Sequence, residues 1–186
     1  MAPVTRTPRE KWIAEGLRAL GTGGPDAVRV EVLAHALGVT KGGFYGHFAD
    51  RKALLDAMLD TWERRSTDDV LERVESRGGD VRIRLRRAGA LTFAADLLPV
   101  DLAIRAWSRH DEGVAARLRR VDNRRLYYLR ELFGAICADE AEVEARSMLA
   151  FSLVIGHHFM AADHGARSHA DVLELAGRWL LGEPAP

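Results

Sequence analysis

The chain is poor in the residues and patterns that assign a protein most directly. It has one cysteine, Cys137, among 186 residues. An internal disulfide is therefore impossible, a reducing, cytoplasmic setting is expected, and the thiol reads as a small buried hydrophobe. No apolar run approaches the ~20 residues of a membrane-spanning helix. The opening stretch, Met1 to Arg6, lacks the apolar segment of a signal peptide. No run alternates apolar and polar residues between turn signals, so the fold is read as all-α. Catalytic signatures are missing too: no Gly-x-Ser-x-Gly, no phosphate-binding Gly-rich loop with its lysine, no cysteine/histidine set at zinc spacing. The expectation is a protein that is not an enzyme and takes no cofactor and no metal.

Net charge is absent as well, with 27 basic and 27 acidic residues, which at first argues against a nucleic-acid partner. The distribution argues otherwise. Residues 1–52 hold Arg6, Arg9, Lys11, Arg18, Arg29, Lys41, Arg51 and Lys52 against Glu10, Glu15, Asp26, Glu31 and Asp50, a balance of +3. Every lysine of the chain lies in this part. A modest basic patch on a balanced body fits a DNA reader of small footprint.

What is present is a chain of helices. Thr7-Pro8-Arg9-Glu10 reads as a helix start, with Thr7 as N-cap and Pro8 at the first helical position. Trp12, Ile13, Leu17 and Leu20 follow at helical spacing, and Gly21 to Pro25 makes a turn. A second helix starts near Val28 to Glu31 and buries Val30, Leu33, Ala34 and Leu37. Gly38 can take φ > 0 and end it, Val39 plugs the corner, and Thr40 is placed to N-cap a short third helix, about Lys41 to His47. In that helix Phe44 and Phe48 share an inward face, which leaves Lys41, Tyr45 and His47 outside. Its three glycines each cost about 1 kcal/mol relative to alanine. A helix that accepts this, and that shows water a cation, a phenol and an imidazole, suits a DNA groove. Asp50 then caps a long fourth helix, about residues 51–75. Arg51 at its start opposes the helix dipole, which implies an anion to meet.

The run Leu37-Gly-Val-Thr-Lys-Gly-Gly-Phe-Tyr-Gly-His-Phe48, with Asp50-Arg51-Lys52-Ala53-Leu54-Leu55 after it, resembles the DNA-binding segment of the TetR family of bacterial transcriptional regulators. The likeness is strong over about residues 8–60; beyond that, length and helical layout agree. It implies a three-helix helix-turn-helix head, residues 1–52, a linking helix over about 51–76, and a larger helical effector-binding and dimerisation domain, residues 53–186, with about nine helices in all. It also implies roles. Thr40 caps the recognition helix and touches phosphate. Lys41 meets phosphate or a guanine edge, and Gly42 and Gly43 allow close approach. Tyr45 and His47 bond phosphates, and Arg51 anchors the backbone. Relatives often carry Thr or Ser at the start of the second helix; here Arg29 is the substitute.

After Gly78-Gly79-Asp80, an apparent boundary, helices are predicted at 80–98 (stopped by Pro99), 100–110, 114–137, 139–163 and 170–181, with residues 183–186 as tail. Sixteen arginines lie between Arg64 and Arg130, but interspersed acids make solvated helix faces the better reading than a second nucleic-acid surface. Met148, Ser152, Ile155 and Phe159 on one helix, with Val172, Ala176, Trp179 and Leu180 on the last, look like a pairing surface. The resemblance implies a homodimer there, and one short recognition helix gives too few base contacts without a second copy. The resemblance also implies a cavity for a small-molecule effector of unknown identity, with Trp62, Phe93, Trp107, Tyr127, Tyr128, Phe133 and His158 as candidate lining. The cluster His157-His158…Asp163-His164…His169 is the sharpest metal candidate, but His157 and His158 point about 100° apart on a helix and His157 and His164, on one face, lie about 10 Å apart along it, so a metal site is not expected; a subunit contact or pocket wall is. The functional expectation is a ligand-responsive repressor of a near-palindromic operator. The rivals are an all-α small-molecule-binding protein or enzyme working through the aromatic cavity, and an adaptor that no longer binds DNA.

Overall fold

The computed structural model describes residues 7–92 and 94–183. Two expectations, a loose start over residues 1–6 and a tail ending at 186, fall largely outside these residues, as does Phe93. Among the described residues there is no strand. Ten α-helices follow one another: α1 (Arg9–Gly23), α2 (Val30–Ala36), α3 (Lys41–Tyr45), α4 (Arg51–Ser66), α5 (Asp68–Ser76), α6 (Val81–Thr92), α7 (Leu98–Trp107), α8 (Glu112–Gly134), α9 (Glu140–Gly156) and α10 (His169–Leu180). The all-α reading holds, and the tenth helix arises where the long fourth one breaks.

The chain forms two compact units. The first comprises Met1–Val70 and Thr92–Val121. Its core is built from the faces that periodicity picked out, with Trp12, Leu20, Leu33, Phe44, Leu54, Met58, Trp62 and Ile104 all buried. At about 25 cal/mol per Å² of apolar surface removed from water, side chains of this size dominate its stability. Helix α1 packs on both α4 and α7. Arg117, early in α8, donates to Asp60 (2.6 Å) and Glu63 (2.8 Å) of α4, and Arg120 also reaches Glu63.

The second unit comprises Leu71–Leu91 and Asp122–Pro186. Val74, Leu85, Ala88, Leu132 and Phe133 are buried in it. Four of its arginines are spent internally. Arg87 donates to the carbonyls of Val74 and Gly78, Arg84 to Glu75, Arg130 to Glu144 and Arg146 to the carbonyl of Leu180. The Tyr128 hydroxyl donates to the Glu75 carboxylate. Burial, then this bond, pushes the Tyr128 phenol above its usual range; the same bond holds the Glu75 carboxyl below its own. Helix α10 opens with a reciprocal cap, Ser168 accepting from the Asp171 N–H and the Asp171 carboxylate from the Ser168 N–H. Gly78 and Gly79 turn the chain between α5 and α6 inside this unit.

Four boundaries and one cap differ most from expectation. Pro8, with an extended ψ of 149°, takes the N-cap place of α1, and Thr7 lies one residue outside with no capping role. The fourth helix stops at Ser66. Thr67 leaves helical geometry, its hydroxyl bonds the Glu63 carbonyl, and Asp68 and Asp69 favour a fresh helix start. The helix expected to reach Pro99 ends at Thr92 instead. Pro99 sits in the first turn of α7, the one helical place where its missing N–H costs nothing. Helix α9 ends at Gly156 and continues only as a 3-10 turn, His157–Phe159. Thr40 stands at the N-cap of α3 with extended dihedrals, but its hydroxyl makes no capping bond.

Candidate nucleic-acid interface

The sequence from Val30 to Phe48 folds as two short helices around a glycine corner. Gly38 has φ of +68°, a conformation that costs other residues about 1–2 kcal/mol. The Val39 N–H donates to the Ala34 carbonyl at 2.9 Å, and the Val39 side chain packs against the core. Helix α3 has only five residues and could not persist alone. Aromatic packing from behind holds it. The Phe44 ring stands edge-on to Trp12 at 5.5 Å and stacks with Phe48 at 5.3 Å; all three are buried.

With that face occupied, the others look outward. Tyr45 is 62% exposed while its ring edge rests on Phe44. Lys41 is exposed and paired with Glu31 of α2 at 2.5 Å, which holds the Glu31 carboxyl below its usual range. Gly42 and Gly43 are not glycines for lack of room. A Cβ would meet Thr40 Oγ1 from position 42 and the Trp12 ring from position 43, each at an ordinary 3.7 Å. Nothing inside the head demands bare backbone there. Arg29 is exposed at the N-cap of α2. Asp50 caps α4 as expected, accepting the Ala53 N–H at 2.7 Å.

Two expected phosphate contacts have partners within the head. His47 Nε2 lies 2.8 Å from the Thr7 carbonyl, which ties the end of the motif to the start of α1. Arg51 donates through Nε to the Val28 carbonyl at 2.7 Å and through Nη2 to the Pro25 carbonyl. Its guanidinium therefore answers two carbonyl dipoles at the turn before α2, and this offsets its poor place at a helix start. Sequence reasoning missed this use because carbonyl positions leave no residue-type signal. It also missed Glu31, whose i+10 partner lies across the corner.

The other candidates are spread between the units. In the first, Trp62 is fully buried and Trp107 packs against the core. In the second, Phe133 and Tyr128 are buried while Tyr127 is 62% exposed, and His158 is half-buried beside His157. Of the pairing-surface candidates, Met148, Ser152, Phe159 and Trp179 are exposed, Trp179 at 73%; Ile155, Val172 and Ala176 are half-buried, and Leu180 is buried. A shallow cleft of about 310 Å³ beside Trp179 is lined by Arg146, Leu149, Leu180, Gly182 and Glu183. No helix among the described residues is long and apolar enough to cross a membrane, and no three histidine, cysteine or carboxylate groups among them converge on a metal position.

Residues 13–58 match the family described as "Bacterial regulatory proteins, tetR family". The fold is similar to that of a TetR-family transcriptional regulator from Rhodococcus sp., at 23% identity over 93% of this chain and 96% of that one, TM-score 0.60. It is similar to a TetR-family regulator from Cytophaga hutchinsonii, at 17% identity over 96% and 95%, TM-score 0.71. It is also similar to AibR, solved in complex with isovaleryl coenzyme A and operator DNA, at 16% identity over 94% and 100%, TM-score 0.65. No curated protein matches the sequence.

Proposed function

We propose, from a chain that carries the N-terminal domain of the tetR family of bacterial regulatory proteins, a DNA-binding transcriptional repressor that works as a homodimer and releases its operator when a small molecule binds. The observation that carries this reading is α3: five residues, fixed from behind by Phe44, Phe48 and Trp12, with Lys41, Gly42, Gly43 and Tyr45 left on the outside. The residues that fold the head and those free to read a groove are different residues. Lys41 exchanges Glu31 for a phosphate or a guanine edge, Tyr45 bonds phosphate, and the two glycines bring the helix backbone close. Thr40 and Arg29 contact the sugar–phosphate backbone from the helix starts. Arg51 and His47 support the head through the carbonyls that they already hold.

One such helix reads too little DNA for specificity. Two copies on half-sites about 34–36 Å apart read enough. The exposed apolar residues Met148 and Trp179, with Leu149 beside the cleft that Trp179 lines, form the pairing face, since large apolar side chains gathered and left uncovered on adjacent helices mark an interaction site. In this reading the head is residues 1–52, with the linking segment over 51–76, and residues 53–186 carry effector binding and dimerisation. AibR, crystallised with both an acyl-coenzyme A and operator DNA, supports a small-molecule effector for this fold. The protein acts in the cytoplasm, on chromosomal DNA, and is not an enzyme.

The test is a mobility shift of the purified chain with the DNA upstream of its own coding region, at two salt concentrations. A discrete, competitor-resistant complex that weakens steeply with salt is expected, because phosphate contacts release counterions. Lys41→Ala weakens it, and Tyr45→Phe weakens it less. A flat salt profile, unchanged affinity in both variants, or a monomeric mass at micromolar concentration overturns the reading.

A further inference from the structure

Four of the chain's seven histidines gather in the second unit, where α9 ends and α10 begins. His164, in the connecting loop, places Nε2 2.9 Å from His169 Nδ1. His169, the first residue of α10, places its other nitrogen, Nε2, 3.3 Å from His157 Nδ1. The His157 ring lies against His158, with centroids 3.7 Å apart. One row of imidazoles thus joins the end of α9, the loop and the start of α10. Because His169 meets its two neighbours through opposite ring nitrogens, the three rings cannot converge on one metal ion, in keeping with the absence of any metal-holding group among the described residues.

We propose that His157, His158, His164 and His169 form a proton-sensitive clasp that fixes the α9–α10 connection at neutral pH and opens it on acidification. The reasoning is a count of N–H groups. A neutral imidazole has one donor and one acceptor nitrogen. Three neutral rings satisfy both bonds, and a single added proton on His169 still allows it to donate to both neighbours. A second proton leaves two N–H groups facing each other and two cations on rings about 5 Å apart, which breaks a bond. The row therefore holds at most one extra proton while both of its bonds stand.

The surroundings offer little to compensate. On the loop, Asp163 and Arg167 are exposed. On α10, Asp171 is committed to the Ser168 cap. Helix α6 approaches α9 at Gly89 and Val154, and its Arg82 and Arg86 serve the Leu181 carbonyl and Glu183. The charges acting on His157 are those of His158 and His169; with burial, they hold it below the usual histidine range, as burial and His169 hold His158. A group so lowered costs the native state nothing while neutral. Below about pH 6.5 the unfolded or opened chain takes up protons first, so the clasp loses stability as pH falls. Phe159 and Met160, both exposed, adjoin the clasp. Because α9 and α10 also carry the pairing face, acid would loosen that face, a consequence that rests on the dimer reading; the clasp itself does not.

The test is nitrogen-detected titration of the imidazoles in the full chain, with amide hydrogen-exchange protection, corrected for intrinsic rate, across residues 157–169 from pH 7.5 to 5.0. Expected are His157 and His158 taking up protons at lower pH than a free imidazole, and protection of the segment falling roughly tenfold as the second proton enters. In His169→Gln, protection is low at both pH extremes; in His164→Gln, which spares the His169–His157 bond, part of it is retained. Four independent titrations near 6.5, or protection that does not change with pH in the wild type, overturn the proposal. So does a drop of equal size in His169→Gln, or a rise in melting temperature with added Zn2+ alone. A wild-type titration as expected beside failed DNA binding leaves the clasp standing and removes the regulator reading.

Discussion

Arg51 offers the sharpest separation between holding the head and touching DNA. Replacing it with methionine keeps the length of the side chain and removes every donor. The Nε bond to the Val28 carbonyl is 2.7 Å and partly buried. For a charged donor it contributes about 1.5 kcal/mol, the low end of its class. The second bond, to the Pro25 carbonyl, is exposed and contributes about 0.5 kcal/mol. Removing a cation from the first turn of α4 returns about 0.5 kcal/mol of dipole repulsion. The net expectation is a loss of about 1.5 kcal/mol in the unfolding free energy of the first unit, read by urea denaturation with exchange protection of α1 to α4 as the local monitor. Arg51→Lys should lose nearly as much, because one ammonium cannot span both carbonyls in a fixed fork. DNA affinity then falls through a mispositioned turn, with its salt slope little changed. If stability stays within 0.5 kcal/mol, about the scatter of neutral surface substitutions, while the salt slope falls by about one, Arg51 is a phosphate anchor and the argument from its carbonyl bonds is refuted.

Gly43→Ala should raise stability by up to about 1 kcal/mol, since the helix gains propensity and the new methyl has ordinary room beside Trp12; DNA binding should fall nonetheless, and unaffected binding in gel shifts would contradict close approach. Phe44→Ala should cost about 3–5 kcal/mol, seen as lost exchange protection in α1 to α4. Tyr128→Phe should abolish the phenol that ionises last in an ultraviolet titration. In the wild type the Tyr128–Glu75 bond stabilises the second unit in a window that closes in acid, as pH falls through the lowered Glu75 range, and again in alkali above about pH 10, where the unfolded phenol ionises.

The helical framework could be read from spacing because helices announce themselves locally: Trp12, Ile13, Leu17 and Leu20 repeat at the period of the structure they form, and Asp50 caps where a cap was expected. Thr7 and Thr40 show the limit of that signal. Both are good capping residues in plausible places, yet the hydroxyl of neither caps a helix, since a side chain one position away from the true boundary, or turned outward, looks the same in sequence. Pro99 was legible as a boundary but not as which side of one, because proline suits the first turn of a helix as well as the gap before it. In the head, Phe44 and Phe48 were separable from Tyr45 by periodicity alone. The carbonyl partners of Arg51 and His47 lie 23 to 40 residues away, set by tertiary geometry that no local pattern encodes. The four histidines were legible as a cluster but not as a bonded row, for the same reason: the helix expected to run through residue 163 stops at Gly156, and the turn that follows brings His157 toward a ring twelve positions on.

The aromatic platform behind α3 also bears on how such a protein changes over generations. Trp12, Phe44 and Phe48 hold the helix, so substitutions there are purged by their cost to folding. Lys41 and Tyr45 project from the same five residues, both exposed, with only the edge of the Tyr45 ring on Phe44, so exchanging them costs the head far less. If Lys41 and Tyr45 read DNA as proposed, the lineage can therefore sample new preferences one position at a time, without crossing a valley of unfolded intermediates.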